Sequence, residues 1–137
     1  MSTLTVRVSM TPPRALSPNA RVFWGTRNRA FQGAKSATFY AFRDTINLND
    51  PGDCFQREPW PLRLSYVVAW EKGHRRMDDD NCKASTKAFT DGVATALGID
   101  DKNFILGDVR QVRDKEGLGY VLITVETVEA IAERRSV

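Results

Sequence analysis

Alternating apolar and polar residues predict two strands in the first half of the chain. Every second residue of segment 4–10 is apolar, which is the pattern of a strand with one buried face, and Pro12 ends it. The same alternation runs through segment 62–70. Because Val67 and Ala69 add apolar side chains to the second face, we expect this strand in the interior of a sheet.

Two other segments carry apolar residues at helical spacing. Segment 34–48 predicts a helix packed on the core, which ends before Pro51. A second helix is predicted from about Asn81 to Leu97, with Gly98 as its C-terminal cap. Between the first strand and the first helix, residues 11–34 contain three prolines and two glycines, which predicts a long ordered loop or arm.

The last third of the chain returns to the strand pattern. Segments 106–113 and 119–125 predict a hairpin across the turn 114–117, and segment 128–134 predicts a short helix. The order strand, helix, strand, helix, hairpin indicates an α+β fold, with two main helices on a mixed sheet of about four strands. We expect a single domain over residues 1–137, with a basic arm at about 11–34 and a short C-terminal tail at about 126–137.

Composition narrows the classes of function. The net charge of +3, from 20 Lys and Arg against 17 Asp and Glu, is too small to indicate a nucleic-acid-binding protein by itself. Two cysteines and the single His74 exclude a disulfide framework, a zinc site of the usual spacing and a Ser/His/Asp triad, and His74 is expected to be an exposed loop residue. Without a signal peptide or a membrane-spanning run, the sequence predicts a soluble cytoplasmic protein with no membrane partner.

Two acidic clusters bracket the second predicted helix. Asp78, Asp79 and Asp80 precede it, and Asp100 and Asp101 follow it. Clustered carboxylates repel one another, so they indicate a bound cation, and oxygen ligands favour Mg²⁺ or Mn²⁺. If residues 78–80 are extended, Asp78 and Asp80 lie on one side and converge on one ion. Asp100 and Asp101 can join that site only if the fold brings their loop back.

The second helix is predicted to carry a charged stripe that starts at the first acidic cluster. At roughly 100° per residue, four charged side chains fall within an arc of about 80°. They are Asp80, Lys83, Lys87 and Asp91. Lys87 and Asp91 are four residues apart, which is also the spacing of an ordinary surface ion pair.

The predicted arm mixes basic and aromatic residues. Within eleven residues it carries Arg21, Phe23, Trp24, Arg27, Arg29 and Phe31. Guanidinium groups beside aromatic rings are a common way to bind a nucleic-acid backbone or an unstacked base. The alternative is that Trp24 and Phe31 anchor the loop to the core.

These residues resemble the RusA family of Holliday junction resolvases, especially its phage and prophage members. The matching text is Arg75-Arg76-x-Asp78-x-Asp80-Asn81, then Lys87-x-x-x-Asp91-Gly92, then Ala96-Leu97-Gly98-Ile99-Asp100-Asp101. The resemblance implies a RusA-like fold and a homodimer that nicks two strands of a four-way DNA junction symmetrically. It also implies dependence on Mg²⁺, for which Mn²⁺ can substitute.

The resemblance also assigns roles to residues. Asp78, Asp80 and Asp101 match the metal-binding aspartates, and Asp91 and Asp100 are further candidate ligands. Lys87 matches a functionally important lysine; because its distance from Asn81 is longer than in the best-known member, Lys83 is a second assignment and also a candidate DNA-binding residue. Arg75, Arg76, Arg21, Arg27 and Arg29 are the other candidate DNA-binding residues.

Three other functions remain open from the sequence. The first is a flap or fork endonuclease of the same fold, and the second is a branched-DNA-binding module without turnover. The third, a nucleotide-binding protein, is the weakest, because the chain has no glycine-rich phosphate-binding loop of the GxxxxGK type.

Overall fold

The architecture was obtained as a computed structural model, which describes residues 3–49 and 61–127. Within these residues the strands are β1 (Thr3–Val8), β2 (Leu62–Trp70), β3 (Phe104–Arg113) and β4 (Tyr120–Thr127). The α-helices are α1 (Trp24–Asn49), α2 (Asp79–Ser85) and α3 (Lys87–Leu97), and short 3₁₀ helices span Arg14–Leu16 and Asp101–Asn103. The predicted α+β class is confirmed, with α1 and α3 as the two main helices.

The four strands form one mixed sheet in the order β1-β4-β2-β3. Strand β4 is antiparallel to both β1 and β2, whereas β2 and β3 are parallel. Both of the first two strands are confirmed, including the interior position of β2, although β1 ends at Val8 and does not reach residue 10 as predicted. All five residues predicted to share the inner face of β2 are buried: Leu62, Leu64, Tyr66, Val68 and Trp70.

The core lies between this face of the sheet and the helices. Phe42 of α1 and Phe89 and Val93 of α3 are fully buried there. The two helices are in close contact at Gly92, where an added Cβ would lie 2.6 Å from the carbonyl oxygen of Lys35. Glycine is therefore required at this position because a side chain would push α1 and α3 apart.

Two predictions about helices need correction. The first helix begins at Trp24 rather than near Ala34, so the arm prediction is wrong for residues 24–34. The prolines of the arm all precede Trp24, and the two glycines lie inside a helix long enough to accommodate them. The second helix begins at Asp79 and is interrupted at Thr86, whose φ of −81° and ψ of −7° separate α2 from α3. Gly98 caps α3 in the left-handed conformation, as predicted.

The predicted hairpin is wrong. Strands β3 and β4 are not neighbours, because β2 lies between them. The connection crosses the end of β2 and bonds to it: the Asp114 amide donates to the Trp70 carbonyl at 3.0 Å, and the Lys72 amide donates to the Gly117 carbonyl at 3.0 Å. The turn residues that suggested a hairpin instead form this crossing loop.

The remaining predictions about structure concern the C-terminal part of the chain. The C-terminal helix at 128–134 and most of the predicted tail lie outside the described residues, and β4 extends to Thr127, past the predicted end at 125. No helix among the described residues is long and apolar enough to cross a membrane.

Candidate active site

The first acidic cluster lies at the start of α2. Asp78 is the N-cap residue, with a φ of −55° and a ψ of 141°, and Asp79 and Asp80 belong to the first helical turn. The extended geometry that would place Asp78 and Asp80 on one side is therefore absent. All three carboxylates are exposed, and the helix N-terminus favours negative charge there.

Asp79 is held in place by two neighbours. Its Oδ1 accepts hydrogen bonds from the Arg76 guanidinium at 3.0 Å and from the Gln111 side-chain amide at 2.9 Å. These bonds, chiefly the one from Arg76, lower the pKa of Asp79 below its usual value. Asp79 therefore has a structural role in this turn, which explains why its neighbours Asp78 and Asp80 are the better candidates for binding.

Gln111 of β3 organises the segment that leads into α2. Its Oε1 accepts from the Trp70 indole at 2.8 Å and from the Met77 amide at 3.0 Å. Its Nε2 donates to the Met77 carbonyl at 2.9 Å as well as to Asp79. Both donors and both acceptor positions of this amide are thus used. Gln111 was not among the predicted site residues, because a single polar residue in a strand carries no signal of such contacts.

The charged stripe of the second helix lines a cavity of about 570 Å³, here called the aspartate-lysine cavity. All four predicted members, Asp80, Lys83, Lys87 and Asp91, contribute to its wall. The remaining lining residues are Ala84, Thr86, Thr90, Asp101, Phe104 and Leu106. The predicted charged stripe is confirmed as one continuous surface, although α2 and α3 are separate helices.

The fold returns Asp101, but not Asp100, to this cavity. Asp101 begins the 3₁₀ helix between α3 and β3 and lines the wall. Asp100 instead caps that turn by accepting the Lys102 amide at 3.1 Å, and this hydrogen bond is the main cause of its lowered pKa. Asp101 is therefore the better placed of the two for a role in the cavity.

The charged side chains of the cavity are not paired with one another. Among the described residues, no salt bridge joins Lys87 to Asp91, so the ordinary surface ion pair is not what the structure contains. Lys83 and Lys87 both line the wall, and the structure does not favour one of the two assignments.

A buried hydroxyl pair supports the cavity wall from behind. The Tyr66 phenol, which is almost fully buried, hydrogen-bonds to the Thr90 hydroxyl, and Thr90 in turn donates to the Thr86 carbonyl at 3.2 Å. Tyr66 must then be the donor to Thr90. Burial raises the pKa of Tyr66 and the charge of Asp91 raises it further, so the phenol stays protonated. The pair fixes Thr86, where α2 meets α3.

A second cavity of about 570 Å³, the arginine cavity, lies on the other side of the first acidic cluster. It is lined by Arg14, Ser17, Gly73, His74, Arg75, Arg76, Met77, Asp78 and Asn81. The fold thus brings the arm beside the predicted DNA-binding residues Arg75 and Arg76. Arg14 was not among the predicted site residues, although its position in the basic arm was a signal. Asp78 lines this cavity and Asp80 the other, so the two aspartates sit at the boundary between them.

The single histidine lies in a loop, as predicted, but it is only partly exposed and lines the arginine cavity. Its ring stacks on Trp70 with 4.3 Å between centroids and an interplanar angle of 3°. The Nδ1 atom lies 2.7 Å from the Arg75 carbonyl, so it donates the hydrogen bond. His74 is half-buried by these contacts and helps to hold the Arg75 backbone.

The basic and aromatic residues of the arm have divergent roles. Arg21 lines a cavity of about 410 Å³ that shares Arg14 with the arginine cavity, whereas Arg29 is exposed on α1. Arg27 donates to the Ala20 carbonyl at 2.7 Å and so fixes the start of α1. The alternative prediction, that Trp24 and Phe31 anchor the arm to the core, is confirmed for Phe31, which packs on the core. It is wrong for Trp24, which is 76% exposed.

The carboxylates fit a hard cation by chemistry but are not gathered around one point. Asp80, Asp91 and Asp101 supply oxygen ligands of the kind Mg²⁺ prefers, and all line one cavity. Within residues 3–49 and 61–127, however, no three His, Cys, Asp or Glu side chains form a group that could hold a metal ion. The predicted metal ligands therefore stay a prediction.

The fold and the two cavities define the class of protein. It is an α+β protein with a four-stranded mixed sheet, in which the aspartate-lysine cavity adjoins the arginine cavity. No family model matches the chain. It is 35% identical over 115 residues to an uncharacterized protein of Xylella fastidiosa (strain Temecula1), and the match covers 83% of this chain and 71% of that protein. The chain belongs to the same family as this Xylella protein.

Proposed function

We propose that this protein is a Mg²⁺-dependent endodeoxyribonuclease of the RusA type, which resolves four-way DNA junctions by paired symmetric nicks. The observation that carries the proposal is the aspartate-lysine cavity: Asp80, Asp91 and Asp101 share one surface with Lys83 and Lys87, directly beside the arginine cavity. Carboxylates that bind a metal, next to cations that bind phosphates, are what hydrolysis of a phosphodiester in a polyanion requires.

In this proposal Asp80 and Asp101 hold the metal, and the third carboxylate is Asp78 or Asp91. Bound Mg²⁺, or Mn²⁺ in its place, would activate a water and neutralise charge on the scissile phosphate. Lys87 stabilises the negative charge that develops on that phosphate, with Lys83 as the second assignment for the role. The products are a 5′-phosphate and a 3′-hydroxyl.

The arginine cavity supplies the contacts that hold the rest of the DNA. Arg75, Arg76 and Arg14 face one space, which suits phosphates next to the reacting one. Arg21 and Arg29 extend the basic surface along the arm and α1, while Arg27 supports that surface through its bond to Ala20. Binding is therefore expected to weaken steeply as salt concentration rises.

Paired nicking requires two active sites, so the proposal includes a homodimer. Light scattering at micromolar protein should give twice the chain mass. A monomer under these conditions would count against paired nicking.

The function is tested by a strand-resolved nicking assay on a synthetic four-way junction with Mg²⁺, beside linear duplex and a flap substrate. Asp80→Asn should reduce nicking by about 100-fold or more, because loss of a metal ligand removes several kcal/mol of transition-state stabilisation. Asp44→Asn is the matched control, since Asp44 is exposed on α1 and lines neither cavity. Full nicking by Asp80→Asn would overturn the scheme.

The same assay separates the remaining assignments. In each pair of variants, the larger loss of nicking identifies the functional residue. The pair Asp78→Asn and Asp91→Asn tests the third carboxylate, and the pair Lys83→Ala and Lys87→Ala tests the lysine. Nicking of every substrate would indicate a general, flap or fork endonuclease. Tight junction binding without nicks in Mg²⁺ or Mn²⁺ would indicate a branched-DNA-binding module, the alternative that the separated carboxylates favour.

A further inference from the structure

One wall of the aspartate-lysine cavity is apolar. It includes Phe104 and Leu106 of β3, which share the cavity with the carboxylates and lysines of the helices. Leu106 is 49% exposed, so a large part of its side chain is not covered by the protein itself. Apolar side chains contribute nothing to binding a metal ion or a phosphate. This wall therefore indicates that the ligand also has an apolar part.

A β-bulge directs this wall into the cavity. Leu64 pairs with Leu106, but Tyr66 pairs with Val109, so β3 holds one extra residue between the two pairs. In a regular strand, Leu106 and Val109 would lie on opposite faces. With the bulge, Leu106 faces the cavity while Val109 packs against the core, both on the helix side. Bulges beside functional sites commonly redirect a side chain in this way.

The bulge is built into the sequence by a glycine. A Cβ at Gly107 would lie 2.5 Å from Ser65 Oγ, 2.6 Å from Arg63 Nε and 3.0 Å from the Leu64 carbonyl oxygen. An added side chain would displace the Ser65 and Arg63 side chains and lie tight against the Leu64 carbonyl oxygen, so glycine fits here without rearrangement. The exposed position of Leu106 is therefore a specified feature of the strand rather than an irregular end.

We propose that the aspartate-lysine cavity binds a whole nucleotide, with an unstacked base against Phe104 and Leu106 and its phosphate towards Lys83 and Lys87. The volume of about 570 Å³ is within the range of about 300–1,000 Å³ typical of small-ligand sites. A nucleotide also matches the two kinds of wall, because it joins an anionic phosphate to a flat ring with apolar faces.

This inference rests on the proposed function, since it takes the nucleotide to be the one beside the scissile phosphate. A base can reach the apolar wall only after it leaves the helical stack, which costs a few kcal/mol in intact duplex and less where pairing is already disrupted. A requirement for an unstacked base would therefore favour branched DNA over linear duplex. Selectivity for branched DNA over linear duplex would then arise inside the cavity as well as from the shape of the dimer.

The test places a single abasic nucleotide at each position near the crossover of a synthetic junction, in turn, and measures binding in EDTA and nicking in Mg²⁺. At one position, loss of the base should weaken binding by the native chain about 5- to 100-fold, the range for one stacked base. Leu106→Ala should bind intact and abasic junctions nearly alike. Ile105→Ala is the control, because Ile105 is adjacent, 50% exposed and not part of the cavity wall, and it should keep the native difference.

The two proposals fail in different ways. If no abasic position weakens binding by the native chain, or if Leu106→Ala keeps the native difference, the nucleotide site is refuted even where nicking is normal. If the base dependence is present but no substrate is nicked, the endonuclease function fails and the nucleotide site stands. The comparison of intact with abasic junctions in the native chain needs no variant. Circular dichroism verifies that Leu106→Ala and Ile105→Ala are folded.

Discussion

At the scale of single residues, Gln111 connects three parts of the molecule that are distant in sequence. It joins the Trp70 indole at the end of β2, the backbone of Met77 and the carboxylate of Asp79. Since Asp78 and Asp80 flank Asp79, the position of both candidate ligands depends on a side chain that contacts neither of them. Gln111 is thus a positioning residue for the entry to α2.

Gln111→Ala should lower the free energy of unfolding by about 2 kcal/mol, because it removes four hydrogen bonds and leaves the N–H of the buried Trp70 without its acceptor. Urea denaturation measures this. Arg110→Ala, an exposed neighbour on β3, is the control and should change stability by less than about 0.5 kcal/mol. Equal stability of the two variants would show that water replaces the Gln111 contacts at no cost.

The buried pair of Tyr66 and Thr90 should act as one unit. Tyr66→Phe removes the donor to Thr90, and Thr90→Val removes both the acceptor and the bond to the Thr86 carbonyl, so each should cost about 1 kcal/mol or more. The double variant should cost less than the sum, with a coupling of about 0.5–1 kcal/mol in a thermodynamic cycle from urea denaturation. Strict additivity would mean that the two hydroxyls contribute independently.

At the scale of secondary-structure elements, the contact between α1 and α3 depends on Gly92. Gly92→Ala should destabilise the protein by about 1–3 kcal/mol, because the new Cβ would lie 2.6 Å from the Lys35 carbonyl oxygen and 2.7 Å from the Thr38 Cβ. Thermal and urea unfolding measure the effect.

Gly33 of α1 provides the matched control for this substitution. It is exposed, and an added Cβ would meet nothing within 4 Å, so Gly33→Ala should stabilise the protein by about 0.5–1 kcal/mol through helix propensity alone. Opposite signs for the two substitutions would confirm that the helix contact decides the effect. Destabilisation by both would indicate a general intolerance of alanine.

The elements that the sequence predicted best are those in which apolar and polar residues recur with a regular period. Strand β2 matches its predicted bounds, and the four residues of the predicted charged stripe all line one cavity. The start of α1 was missed because the exposed residues near Trp24 leave no apolar period to detect. The break at Thr86 was missed because Thr86 stays in the helical region, with a φ of −81° and a ψ of −7°, so the helical spacing of the side chains continues across it.

At the scale of the whole molecule, the strand order decides what the cavity contains. If β3 and β4 had formed a hairpin, the edge of β2 that pairs with β3 in the structure would have had no neighbouring strand. The observed parallel pairing instead places Phe104 and Leu106 in the cavity wall, and Gln111 beside Trp70. The sequence could identify the candidate carboxylates and lysines. The apolar wall, and the position of Asp101 in the aspartate-lysine cavity, follow instead from this strand order. The local pattern of apolar and polar residues does not determine that order.

The crossing loop that makes this topology possible is organised by the carboxylate of Asp114. Its oxygens accept the amides of Glu116 at 3.0 Å, Leu118 at 3.1 Å and Gly119 at 2.9 Å. The bonds, chiefly the one from Gly119, lower the pKa of Asp114 in the folded chain despite its burial. The ionised form therefore favours folding at pH values above the usual aspartate pKa of about 4.

Protonation of Asp114 should accordingly weaken the whole sheet. Its contribution is fully present at neutral pH and is lost as the pH falls below about 4 and through the lowered pKa of the folded state. Asp114→Asn, whose amide nitrogen cannot accept a backbone N–H, should be less stable than the native chain at pH 7, and the difference should shrink towards pH 3 in urea denaturation. Asp44→Asn, at an exposed position on α1 outside the crossing loop, is the control for replacing an aspartate elsewhere in the chain. A constant difference between Asp114→Asn and the native chain from pH 7 to pH 3 would show that the loop does not depend on the charge of Asp114.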